Sequence, residues 1–309
     1  MSNRAPERVI NRVVLAWAVL LLVLSAAASC GVPTLDIPVI YDAGKIGERF
    51  YQEYPLIEAD VPYVENPEPL QVMDIFKTDS EGLAPVVVFV HGGTWQWTRR
   101  NDYGALAETF TKRGFVTVLV DYRVYPEDTY PAFVDDTAWA LNWIMQHIDE
   151  YGGDPDRVFL LGHSAGSHLI ALTLTDDTFR NKLTFDPMKL KGLVLLSGPY
   201  HFNIRVGRGI EDAVRGAMGS QENFTKAQPI FYTRGDLPPI LMMVGEDDRL
   251  AVPSMNIEYY EALKEAGADI SLKVLPNNDH YAIVLAMVEG YEGLSLDYTL
   301  DFIRERNGG

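Results

Sequence analysis

The chain has 309 residues, enough for one large α/β domain or two small ones, and its 47% apolar and 22% charged residues are ordinary for a globular protein. A net charge of −17, with no basic stripe and no zinc-type Cys/His spacing, argues against nucleic acid as a partner, because phosphate binding needs clustered Lys and Arg.

Arg4, Arg8 and Arg12 precede an uncharged apolar run from Val13 to about Ala28. A positive start, an apolar stretch and small residues describe a secretory signal peptide over residues 1–29. The run falls short of the roughly 20 residues a transmembrane helix needs. Ala27-Ala28-Ser29-Cys30 resembles a bacterial lipobox, with Ala27 where leucine is usual, so Cys30, the one cysteine, is the expected lipid attachment. Plain cleavage after Ala28 and an uncleaved anchor are the alternatives. All three export the domain and confine membrane contact to this segment.

Residues 31–70 read as an irregular, proline-rich extension whose scattered aromatics pack on the main domain near the active site. From residue 71 to 309, strands alternate with helices. Strands are expected at Gln71–Lys77, Pro85–Val90, Phe115–Val120, Val158–Leu161, Gly192–Ser197, Ile240–Val244 and Ile270–Leu275. Helices are expected at Asp102–Arg113, Tyr130–Tyr151, after Ser164, at Met255–Gly267 and at Leu294–Arg306. That alternation implies an α/β fold with a mainly parallel sheet covered on both faces. Residues 198–237 are too long for a loop between two core strands and read as a small lid over the catalytic face.

The strand Val158–Leu161 runs into Gly162-His163-Ser164-Ala165-Gly166 and then into helical spacing at His168, Leu169, Ala171 and Leu172. G-x-S-x-G in a strand–turn–helix context is a nucleophile elbow, which holds a serine hydroxyl out at the sheet edge. A serine needs a base in hydrogen-bond reach, and the base needs an acid to orient it. After an elbow serine the acid precedes the histidine in the chain. His168 lies one helical turn past the serine, and His201 precedes any acid, which leaves His280 after the last strand. Glu246, Asp247 and Asp248 compete as the acid; Asp248 sits deepest in the loop after Ile240–Val244, an advantage of spacing alone. For the oxyanion, the Ala165 N–H at the helix start and the loop His91-Gly92-Gly93-Thr94-Trp95 offer donors, from Gly93 and Thr94. Trp95 and Trp97 either wall an acyl pocket or anchor that loop on the core.

These motifs, with Asp121-Tyr122-Arg123, Tyr151-Gly152-Gly153-Asp154-Pro155 and Asp279-His280, occur in an order that resembles the α/β-hydrolase fold esterases with an HGG oxyanion loop. The stretch 121–172 is most similar to their isoprenylcysteine methylesterase-like and arylformamidase-like branch. The resemblance covers about residues 70–305 and implies Ser164 as nucleophile, Asp248 as acid and His280 as base, with Gly93, Thr94 and Ala165 at the oxyanion. Thr94 departs from the commoner third glycine, which leaves the second donor open. The expected protein is an exported carboxylic-ester hydrolase with a small-molecule ester as substrate and no metal or organic cofactor. Its rivals are an arylformamidase-type amidase and a non-catalytic binding module on the same fold. Oligomeric state is not legible.

Overall fold

The computed structural model describes Lys45, residues 47–202 and residues 208–307. The expected signal segment and Cys30 lie outside these residues. Among the described residues, no helix is long and apolar enough to cross a membrane.

In chain order the first elements are α1 (47–53), β1 (Ile57–Pro62), β2 (Val72–Phe76), β3 (Ala84–Val90), α2 (Gly104–Thr111), β4 (Val116–Val120), α3 (Ala132–His147), β5 (Gly153–His163) and α4 (Ala165–Thr175). There follow α5 (Asp177–Arg180), β6 (Gly192–Leu196), α6 (Arg208–Met218), α7 (Gln221–Lys226), β7 (Ile240–Gly245), α8 (Pro253–Glu265), β8 (Ile270–Leu275), α9 (Ala282–Leu285) and α10 (Ser295–Arg306). The sheet order is β1-β2-β4-β3-β5-β6-β7-β8. β1 and β2 pair antiparallel, as do β2 and β4, and every other pair is parallel.

Parallel strands covered on both faces are apolar on both faces, which is why β3 reads as an unbroken β-branched run. Val86, Val88 and Val90 point into one core with Leu141 and Ile144 of α3 and Leu169 and Leu172 of α4. Val87 and Phe89 point into the other, with Phe110 of α2 and Phe302 and Ile303 of α10. Each such side chain removed from water contributes about 1.5–3 kcal/mol before entropy is charged against it.

The extension departs from the sequence reading. Residues 57–62, expected to be irregular, form the edge strand β1, whose register slips between Glu58 and Val61. Asp60 there takes a left-handed φ of 57°. The aromatics do pack: Phe50 stacks on Phe76 at 5.2 Å and Tyr51 meets it edge-on at 5.1 Å. They lie on β2, however, three places from the strand that ends in Ser164.

The described part of the 198–237 insertion carries α6 and α7. Ser220 caps α7 through the Asn223 amide. The insertion is tied to the loop before α3, where the Tyr130 N–H donates to Ala217. It also touches the loop after β3: the Gln96 side-chain amide donates to the Ala213 carbonyl at 2.9 Å.

Candidate active site

Four loops at the carboxyl ends of parallel strands converge, as expected for ligand sites in such sheets. β3 delivers His91–Thr94, β5 delivers Ser164, β7 delivers Asp248, and β8 delivers His280.

Ser164 has φ 53° and ψ −120°, a strained conformation for a residue with a side chain. The sharp turn is possible because strand and helix nearly touch on both sides of it. A Cβ on Gly162 would fall 2.7 Å from the Ser167 nitrogen, and one on Gly166 would fall 1.9 Å from the Val90 carbonyl oxygen. The Ser164 N–H donates to Leu196 of β6 at 2.8 Å, which holds the turn against the sheet.

The serine Oγ lies 2.9 Å from His280 Nε2, and His280 Nδ1 lies 2.9 Å from Asp248 Oδ2. The other Asp248 oxygen accepts the Leu250 and Ala251 N–H groups, each at 2.8 Å. Those two amides settle which carboxylate turns inward, since Glu246 and Asp247 stay exposed. Burial alone would raise the Asp248 carboxyl. The charge and hydrogen bond of His280, the Ala251 amide and the Ser197 hydroxyl outweigh it and hold the group below its ordinary value. Ionised and buried, it holds the imidazole through Nδ1 and is placed to stabilise a positive charge there.

The loop after β3 abuts Ser164. A Cβ on Gly92 would sit 3.1 Å from the Ser164 Cβ, tighter than an ordinary contact, so glycine lets the backbone come near without displacing the serine. Gly93 (φ 99°), Thr94 (φ 53°) and Trp95 (φ 57°) form a run of left-handed residues, closed where Gln96 and Trp97 donate to the Gly93 carbonyl. Ala165 opens α4, where helix geometry leaves its N–H without an intrahelical partner.

The motif Asp121-Tyr122-Arg123 supports this loop from behind. Tyr122 stacks on His91 at 4.4 Å and shares its phenol O–H between the His91 and Gly92 carbonyls. Asp121 Oδ1 faces His91 Nε2 at 3.2 Å and accepts the Arg100 N–H at 2.7 Å. The Arg100 guanidinium joins Asp121, Asp74 and Asp60, so residues of β1 and β2 and the residue after β4 share one cation. Burial would raise Asp121, but the hydrogen bond from His91 and the charges of His91 and Arg100 hold it low. Arg123 closes a fork on buried Asp136.

The remaining candidates fall elsewhere. His168 is buried; its Nε2 donates to Ala227 at 2.6 Å, and burial lowers its pKa to about 4, so it anchors the insertion. His201 lies 2.9 Å from Glu258. Trp95, read from the sequence as a pocket wall or an anchor, is 1% exposed, edge-on to His168 at 4.8 Å and stacked near Phe133 at 6.0 Å. Its ring is spent on the core and fixes the loop, while Trp97 stays half-buried. A groove of about 520 Å³, lined among others by Tyr63, Arg123, Trp139 and Trp143, contains none of the three residues around Ser164. Arg100 and His163 escaped the sequence reading: Arg100 stands in a polar run that looks solvated, and His163 fills the variable place of the elbow motif.

A family model described as BD-FAE matches residues 73–263, well over half of the chain. The chain belongs to the BD-FAE family. This BD-FAE chain is 26% identical over 239 residues to an isoprenylcysteine alpha-carbonyl methylesterase of Arabidopsis thaliana, covering 71% of itself and 55% of that protein. It is 26% identical over 236 residues to a kynurenine formamidase of Danio rerio, covering 74% of itself and 76% of that protein. It spans about half the length of the methylesterases it matches. Among solved structures, esterase B from Lactobacillus Rhamnosis superposes with a TM-score of 0.70 at 17% identity, covering 94% of this chain and 95% of that one. At that identity the likeness shows the fold, which is that of the α/β-hydrolases.

Proposed function

We propose that this protein is an exported serine carboxylic-ester hydrolase that works on small esters through an acyl-enzyme. The observation that carries the reading is the chain of contacts Ser164 Oγ–His280 Nε2 and His280 Nδ1–Asp248 Oδ2, each 2.9 Å, beside the left-handed loop Gly93–Trp95. His280 takes the Ser164 proton as Oγ attacks the acyl carbon. The oxyanion is met by N–H groups of Ala165 and of Gly93 or Thr94. Collapse of the tetrahedral species expels the alcohol, which receives the proton from His280. Water then attacks the acyl-enzyme with the same histidine as base, releasing the acid and restoring the serine. Export rests on the sequence of residues 1–30, with a lipid on Cys30 as its preferred form. The insertion with α6 and α7 serves as a lid.

A second reading has a specific support. The formamidase of Danio rerio is matched over more of its own length than the methylesterases are, so an aryl formamide belongs in the substrate panel.

The test is hydrolysis of p-nitrophenyl acetate, butyrate and octanoate and of an aryl formamide by the wild type and Ser164→Ala. Loss of at least about a thousandfold in kcat/KM, with folding retained, is expected for the variant. An alanine variant that still turns over these substrates would remove Ser164 from the chemistry. Faster turnover of the formamide than of any ester would move the enzyme to the amidase reading.

A further inference from the structure

The nucleophile is preceded in the chain by a histidine whose ring is 3% exposed. Its Nε2 lies 2.8 Å from the main-chain carbonyl of His280. A carbonyl only accepts, so the ring nitrogen carries the hydrogen. The other nitrogen, Nδ1, is buried without a hydrogen-bond partner among the described residues and faces Gly92, where an added Cβ would lie 3.1 Å away. One edge of the ring therefore grips the loop of the base, and the other stands against the loop of amides.

We propose that His163 is a positioning residue that fixes the main chain of His280 relative to Ser164. The inference rests on the triad reading. Asp248 sets the rotation of the His280 ring, but it says little about where the ring's own backbone stands. His280 sits in a loop between β8 and α9. Asp279 braces that loop from within by accepting the Tyr281 and Ala282 N–H groups. Asp247, donating to Asn278, ties it to the loop after β7. Neither bond reaches the elbow. The bond from His163 does: it closes a ring of contacts that runs from Ser164 to its chain neighbour, across to the His280 carbonyl, out along the His280 side chain and back to Oγ.

The neutrality of His163 matters to the same end. Its ring centroid is 4.9 Å from that of His280, which must carry a positive charge in the transition state. A second cation so close would oppose that charge. Burial first, and the nearby His280 second, hold His163 far down, to about 3, against smaller upward pulls from its bond to the His280 carbonyl and from Asp248. It is a permanent neutral donor wherever an esterase of ordinary pH range works.

The experiment compares wild type, His163→Leu and His163→Gln on p-nitrophenyl butyrate, with thermal unfolding and Ser164→Ala run alongside. Glutamine places an amide N–H at about the reach of Nε2; leucine fills the space without a donor. Displacing the base by a fraction of an ångström to an ångström is expected to lower kcat in His163→Leu by about 10–100-fold, with KM within about twofold. His163→Gln is expected to recover most of that loss at a similar unfolding temperature to the leucine variant. Wild-type kcat in folded His163→Leu would overturn the inference, and so would equal losses in the two variants, since a purely structural role ignores the donor. An inactive Ser164→Ala beside an unaffected His163→Leu sinks only this inference; an active Ser164→Ala sinks the triad itself.

Discussion

At the scale of single residues, the site is decided by which polar atoms are met. Asp248 accepts two backbone amides on one oxygen and His280 on the other, so all of its partners are donors. Asparagine there keeps the shape but turns an NH2 on one of those donors, which misorients the imidazole. Asp248→Asn should lower kcat by about three to four orders of magnitude, as removal of a buried triad acid does. Asp247→Asn, one residue away and exposed, should stay within about twofold, and steady-state kinetics on one ester decides between them. Three carboxylates in a row could not be ranked from the sequence beyond spacing. The choice is made by the path of the loop, through amides two and three residues further on. Arg100 was illegible for a related reason: its three aspartates come from three separate segments, within β1, within β2 and just after β4, and no local pattern announces their meeting.

At the scale of elements, the sequence was most readable where a strand is buried on both faces. The β-branched run of β3 and the apolar run of β5 declare themselves, because nothing but a covered strand tolerates such runs. β1 did not, since an edge strand with exposed positions and a bulge looks like loop. The elbow was legible because its glycines obey a steric need that the structure makes explicit. Gly166→Ala would drive a methyl group into the Val90 carbonyl oxygen, a backbone atom that cannot swing away. It should cost at least about 3 kcal/mol or prevent folding. Gly209→Ala, in α6 with nothing among the described residues within 4 Å of the added carbon, should instead gain about 0.5–1 kcal/mol from helix propensity. Urea unfolding of both variants measures the contrast.

At the scale of the whole molecule, buried histidines couple stability to pH. His163 and His168 are held neutral by burial, with pKa values of about 3 and about 4, while an unfolded histidine takes up its proton near 6.5. The unfolded chain thus binds more protons between those limits. The stability they contribute is complete above about pH 6.5 and drains away as pH falls towards 4 and then 3. Asp248 and Asp121, both depressed, add their own loss only lower down, as pH passes their folded values. Denaturation midpoints should therefore drop between pH 7 and pH 4, by on the order of a few kcal/mol for the two rings together. His168→Gln, which retains a donor to Ala227, should flatten that slope; an unchanged slope would mean that the ring is reached by protons in the folded state.

The threading of the sheet also sets a clock. Ser164 stands at the end of β5, and His280 follows 116 residues later, after β7 and β8 have been made. On the proposed mechanism, a chain growing from its N-terminus owns its alcohol long before it owns the means to ionise it. Until the last two strands dock, Ser164 stands without the base that this mechanism assigns to it. On the proposed mechanism, then, the site is complete only when β7 and β8 have joined the strands that carry the glycine loop and Ser164.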